Sequence, residues 1–182
     1  MKLFYLLLGA TPIGRNTEQH DVFFGIANTL TELAPALKKF WSEAGNTLHL
    51  DGFQEVRFVD GFAVKIVEKT VSATPEKLFF INLGGYRKGS FEEFHERHFM
   101  VGNSLGEVIK RVKKTDFYRT MGFANAGSHV DDKYGVDIDE IFEVNDILPE
   151  EMKSEYSIIL EKSDEADQQN PFSVGYFKLN KL

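Results

Sequence analysis

The run Leu3-Phe4-Tyr5-Leu6-Leu7-Leu8-Gly9 recurs 75 residues later as Leu78-Phe79-Phe80-Ile81-Asn82-Leu83-Gly84. In the same register Gly14 meets Gly89, Glu18 meets Glu93, His20 meets His95, Asn28 meets Asn103 and Leu30 meets Leu105. Farther on the shift becomes 80, so that His49-Leu50-Asp51 answers His129-Val130-Asp131 and Val56 answers Val136. The changed offset places an insertion in the second copy around residues 117–127. All five histidines fall on this repeat, the fifth, His98, standing against Phe23. Two copies are too few for a solenoid, whose units bury their faces only by stacking several deep. A pseudo-twofold domain is the expectation.

Each copy opens with a dense apolar run, which reads as a strand, and a glycine-containing loop follows. Next come residues spaced three and four apart: Phe23, Ile26, Leu30, Leu33 and Leu37 in the first copy, His98, Val101, Leu105, Val108 and Val112 in the second. That spacing predicts a helix packed by one face on a sheet. Pro35 should kink or split the first helix near Ala34. Asp60-Gly61, between apolar stretches, predicts a tight hairpin. Further strands are expected over 138–144, 156–161 and 174–179, with Leu148-Pro149-Glu150-Glu151 turning into a short helix. The expected class is therefore α+β: two tandem β-α-β-β(β) repeats with pseudo-twofold symmetry, a mixed sheet and helices on one face. A ferredoxin-like pairing and a paired-module barrel both satisfy this order. The repeats are set at 1–72 and 73–182. The link at residues 72–75 is so short that one joint globular unit is expected.

Composition narrows the function classes. The chain has 182 residues, 42% of them hydrophobic, with 17 Phe, enough for a real core. A net charge of −7 disfavours nucleic-acid partners, whose phosphates it repels. No cysteine is present, so disulfides, thiol nucleophiles and Cys-ligated zinc are excluded. The apolar N-terminus has an internal twin and no run approaches membrane-spanning length, so neither a signal peptide nor a membrane span is expected. A cytoplasmic location fits these features.

Three constellations could carry chemistry. Gly9-Ala10-Thr11-Pro12-Ile13-Gly14 and Gly84-Gly85-Tyr86-Arg87-Lys88-Gly89 follow a strand and precede the expected helix, as a phosphate loop does, but lack the Lys-Ser/Thr that follows in such loops. They are read either as plain turns needing glycine dihedrals or as anion sites, with Gly84, Gly85 and Arg87 as ligand contacts. Ser90-Phe91-Glu92-Glu93 has the form of a capping box, which accounts for Glu93, and Glu18 suits a first helical turn. His20 and His95 border the buried stripe, where a histidine either bonds a strand carbonyl or serves a ligand. His95-Glu96-Arg97-His98 fails the metalloprotease spacing, since its histidines are three apart rather than four.

The His-x-Asp pairs are the third element. In an extended segment His49 and Asp51, like His129 and Asp131, point to the same side. A carboxylate beside an imidazole fixes its tautomer, and the pair equally suits two metal ligands. The acidic run from Asp131 to Glu140 lacks the spacing of an EF-hand loop and also reads as a charged edge strand. No nucleophile motif stands out.

The stretches 78–86, 91–99 and 129–137, with Leu6-Leu7-Leu8-Gly9-Ala10-Thr11-Pro12 and Glu18-Gln19-His20-Asp21 as a first copy, resemble a small bacterial family known as domain of unknown function 1543. That resemblance implies one or two copies per chain and a paired α/β arrangement. It brings no activity, cofactor or catalytic residue.

The expectation is a small-molecule or metal pocket in the second repeat. His95, His129 and Asp131 are the catalytic candidates, and His95, His98, His129 and Asp131 the ligands of a divalent metal. His20, His49 and Asp51 are ligand-binding candidates in the first repeat. Were the chain an enzyme, metal-assisted or histidine acid–base hydrolysis would be the expected class. The competing expectation is a non-catalytic homodimer or adaptor whose motifs are structural.

Overall fold

The apolar run that opens each repeat becomes an interior strand, because a buried backbone needs hydrogen-bond partners along both edges. The computed structural model describes residues 1–69, 74–122, 140–164 and 169–181. It divides into two units: Met1–Ala73 with Ile147–Leu182, and Thr74–Asp146. The division made by repeat therefore differs from that made by contact at residues 147–182.

In the first unit β1 (Lys2–Ala10) lies between β2 (Gln19–Ala27) and β3 (His49–Glu55), and β10 (Phe172–Lys178) adds to the outer side of β3. A second sheet holds β4 (Phe58–Val59), β5 (Phe62–Glu68) and β9 (Tyr156–Lys162). In the other unit β6 (Lys77–Tyr86) lies between β7 (Glu93–Gly102) and β8 (Glu140–Glu143). Every strand pair among the described residues is antiparallel, in three sheets rather than one mixed sheet. The class is α+β.

Helices cover one face of each repeat's sheet. After β2 a 3-10 turn (Leu30–Leu33) and α1 (Ala34–Phe40) meet at Ala34, the split that Pro35 requires. Leu33 and Leu37 pack on Phe4, Leu6, Leu8 and Phe23. In the second unit α2 (Leu105–Val112) sets Val108 and Val112 on Phe79, Ile81 and Leu83, followed by α3 (Asp116–Thr120). Helix α4 (Glu150–Glu155) leads into β9. No helix among the described residues is long and apolar enough to cross a membrane.

The order β-α-β-β expected for each copy is corrected to β-β-α-β. The supposed helical stripe runs across a junction: Phe23 and Ile26 belong to β2, and His98 and Val101 to β7. Residues Phe23 to Ala27 are all buried, and any spacing can be picked out of a run covered on both faces. The helix start lies later. Ser104 accepts a hydrogen bond from the Glu107 N–H, and Glu107 Oε2 accepts from the Asn103 N–H. In the first copy Glu32 Oε2 accepts from the Asn28 N–H. The capping box placed at Ser90 is likewise corrected, because Glu93 begins a strand. The Asp60-Gly61 hairpin is present, both residues at positive φ (51° and 83°), joining β4 to β5.

Candidate functional site

The site is built on one row across three strands. Gly9 on β1 pairs with His20 on β2 and with His49 on β3. Directly opposed residues project from the same face, and neighbouring strands lie about 4.8 Å apart. Two imidazoles therefore stand on either side of a residue with no side chain. A Cβ on Gly9 would come within 2.4 Å of His49 Nε2 and 2.6 Å of Asp51 Oδ2. A glycine within an apolar strand often marks such a close approach.

Asp51 enters through a bulge. The register of β3 on β1 shifts between Leu7 and Leu8, so that Leu8 pairs with Leu50 and Leu7 with Gly52, leaving Asp51 between them. Bulges re-aim a side chain in this way. Leu50 stays fully buried under the helix, while His49 and Asp51 reach the opposite face.

The polar atoms converge closely. His20 Nε2 lies 3.0 Å from Asp51 Oδ2, and His49 Nε2 lies 3.2 Å from Asp51 Oδ1. Glu18, from the turn before β2, brings its carboxylate to 3.1 Å from His49 Nε2 and 3.7 Å from His20 Nε2. His49 is only 3% exposed, whereas the Glu18 and His20 side chains are nearly half open to solvent. Tyr176 of β10 lays its ring against His49, centroids 4.2 Å apart.

The tautomer of His49 follows from its other nitrogen. Nδ1 lies 2.8 Å from the Thr47 carbonyl, which can only accept, so Nδ1 carries the hydrogen and donates. In the neutral ring Nε2 is then a lone pair facing two carboxylates. Neither His49 Nε2 nor Asp51 Oδ2, both buried, has a hydrogen-bond partner. As the side chains stand, no group of three or more His, Cys, Asp or Glu among the described residues could hold a metal ion.

The second-repeat candidates fare differently. His95 pairs with Gly84, the register of His20 on Gly9, and its Nε2 is 3.9 Å from Glu93. His98 pairs with Ile81, whose side chain is in the core under α2. Three residues apart on a strand, His95 and His98 point to opposite faces and are not brought together. His129, Asp131 and the acidic run to Asp139 lie outside the described residues.

Gly84 and Gly85 are in β6 and lead to another strand, so the strand-to-helix phosphate loop is corrected to a hairpin. Gly14 and Gly89 do take positive φ, 82° and 87°, in the two turns. Gly85 makes room for Met121. Arg87 sits over the Phe94 ring at 4.6 Å.

Residues that the motifs did not single out as site members are Gly9, Glu18 and Tyr176. The signal for Gly9 was its place within an apolar strand, and for Glu18 its pairing with Glu93 in the repeat. A cavity of about 630 Å³ between α1 and residues 147–152 is lined by Phe23, Pro35, Phe40 and Met152 and no histidine. Phe23 and His20 are three apart on β2, so this cavity lies on the other face of the sheet.

Residues 15–66 match the model of a family described as Domain of Unknown Function (DUF1543), a stretch that spans Glu18, His20, His49 and Asp51. The likeness to a domain-of-unknown-function family is thereby shown. No curated protein matches the chain. The fold is similar to the crystal structure of a protein Il1583 from Idiomarina loihiensis, with a TM-score of 0.64 and 23% identity over 98% of this chain and 97% of that one.

Proposed function

We propose that this protein binds a small ligand at the Glu18–His20–His49–Asp51 cluster, and that the ligand brings positive charge or hydrogen-bond donors to it. The observation that carries this reading is the buried His49 Nε2, which makes no hydrogen bond although it faces two carboxylates across Gly9. An unpaired buried polar atom costs about 1–3 kcal/mol, and a donor or cation placed there would recover it. Imidazole and carboxylate together also suit proton transfer, so acid–base hydrolysis is the reaction class the site would support. The test is histidine ring NMR with ammonium and guanidinium probes. The expected result is a shift of the His20 and His49 signals that Asp51→Asn abolishes; signals unmoved by any probe would refute the reading.

The tandem duplication, with repeats at 1–72 and 73–182 related by a pseudo-twofold, belongs to the same proposal. It is supported by equal registers: Gly9 with His20, Gly84 with His95, and Asn28–Glu32 beside Asn103–Glu107. The duplication extends the site to the second repeat, with His95, His129 and Asp131, to be tested with His129→Ala.

A second reading, a homodimeric adaptor, is favoured by one observation. Strand β10 is a sheet edge that exposes Phe172, Val174 and Tyr176. Unguarded apolar edges pair with other chains. Sedimentation should show a dimer that Val174→Lys dissociates; a monomer at all concentrations would exclude it.

A further inference from the structure

We infer that the ligand of the Glu18–His20–His49–Asp51 cluster is a divalent transition-metal ion, a proposal that rests on the reading of this cluster as a ligand site. The spacing of the donors is the first argument. A tetrahedral shell with bonds near 2.1 Å holds its donor atoms about 3.4 Å apart. The four nitrogen–oxygen approaches are 3.0, 3.1, 3.2 and 3.7 Å, each carboxylate meeting the two imidazoles with different oxygens, so one oxygen of each is free to turn to an ion.

The second argument is the tautomer. A metal-binding histidine characteristically donates its other ring N–H to a carbonyl or carboxylate, which turns the lone pair toward the ion. The Thr47 carbonyl does this for His49. A proton on Nε2 answers less well, because neither carboxylate stands in hydrogen-bond geometry to it.

The third argument is room. Gly9 leaves the space that His49 Nε2 and Asp51 Oδ2 take up, and an alanine there would clash with both. Two imidazoles with two carboxylates suit zinc, manganese, iron or nickel rather than calcium or magnesium, which prefer oxygen throughout. As they stand the side chains could not hold an ion, and they must turn to do so. His49 and Asp51 are the held members, and closing asks for rotation of Glu18 and His20, the two most exposed to solvent. That open side is also the path by which an ion enters.

The test uses the full chain after chelator dialysis, with Zn²⁺ followed by calorimetry and Co²⁺ by its visible absorption. The expected result is one equivalent assigned to the first repeat, with a ligand-field band of nitrogen–oxygen coordination. His49→Ala and Gly9→Ala should each weaken binding by roughly 100-fold or more. Should either variant fail to fold, Glu18→Gln, which alters an exposed side chain, should weaken binding and shift the Co²⁺ band. Metal binding that survives all three substitutions unchanged would overturn the proposal. So would failure to bind either ion while ammonium or guanidinium probes still move the histidine signals, an outcome that leaves the small-ligand reading standing. If neither ions nor organic probes act on these residues, both readings fall.

Discussion

Single residues in this protein take their meaning from what lies opposite them. Gly85 is a glycine for packing: a Cβ there would stand 2.7 Å from Met121 Cβ and 2.9 Å from its carbonyl oxygen. Backbone cannot yield as a side-chain tip does, so Gly85→Ala should cost about 1–3 kcal/mol in urea denaturation. Gly9 is a glycine for the site, and its alanine variant should act chiefly on ligand binding. Glu55 offers a pH prediction. Arg57 holds its carboxyl below the usual carboxylate value of 4.5, with Lys2 assisting and partial burial opposing. A lowered native value means the stabilisation is present above the ordinary value and fades as pH falls through the native one. The melting-temperature gap between wild type and Glu55→Gln should therefore shrink from about pH 6 to about pH 3; a gap that widens would refute the assignment. Arg57 is about half open to solvent, which screens the pair, so the effect should be small. Among the site residues, His20, His49 and Asp51 were visible as motifs, because repeated polar residues stand out. Gly9 was read as the first glycine of a turn or anion loop, since its use here depends on two strands brought beside it.

At the scale of elements, the strand-to-helix junctions separate what local sequence encodes from what it leaves ambiguous. Asn103-Ser104-Leu105-Gly106-Glu107 is a capping sequence, with Ser104 accepting from Glu107 N–H. Ser104→Ala should lower stability by about 1 kcal/mol. Thr29 makes no such bond to the backbone and instead donates to Glu32 Oε1. Thr29→Ala should cost less, and equal losses in the two variants would contradict the capping assignment. The sequence reading set its capping box at Ser90 instead, because a three-and-four spacing running through β2 and β7 placed the helix starts too early. In β2, where Phe23 to Ala27 are all buried, burial had erased the alternation that would have marked the strand. The Asp60-Gly61 turn, by contrast, was legible because positive φ at two adjacent residues is a local demand.

For the molecule as a whole, the decisive feature is the return of the chain after residue 146. Strand β9 pairs along the whole of β5, and β10 covers β3. A chain ended before Asn170 should expose β3, lose the amides' exchange protection there, and lose Tyr176 from the ring of His49. The amides of β6 paired with β7 should keep theirs; equal loss in both places would refute the division into two units. By itself the sequence determined the class, the apolar strands that open each repeat, the Asp60-Gly61 hairpin, and which polar residues recur in register. Each of these depends on neighbours within a few positions or on identity between distant copies. Only the tertiary structure decided that residues 147–182 complete the first unit. It alone decided that His20 and His49 meet over Gly9, and that His95 and His98 part to opposite faces. The first two outcomes depend on strand pairing across intervening segments and on the bulge at Asp51, and the third on residues 93–102 being a strand where their spacing had read as a helix.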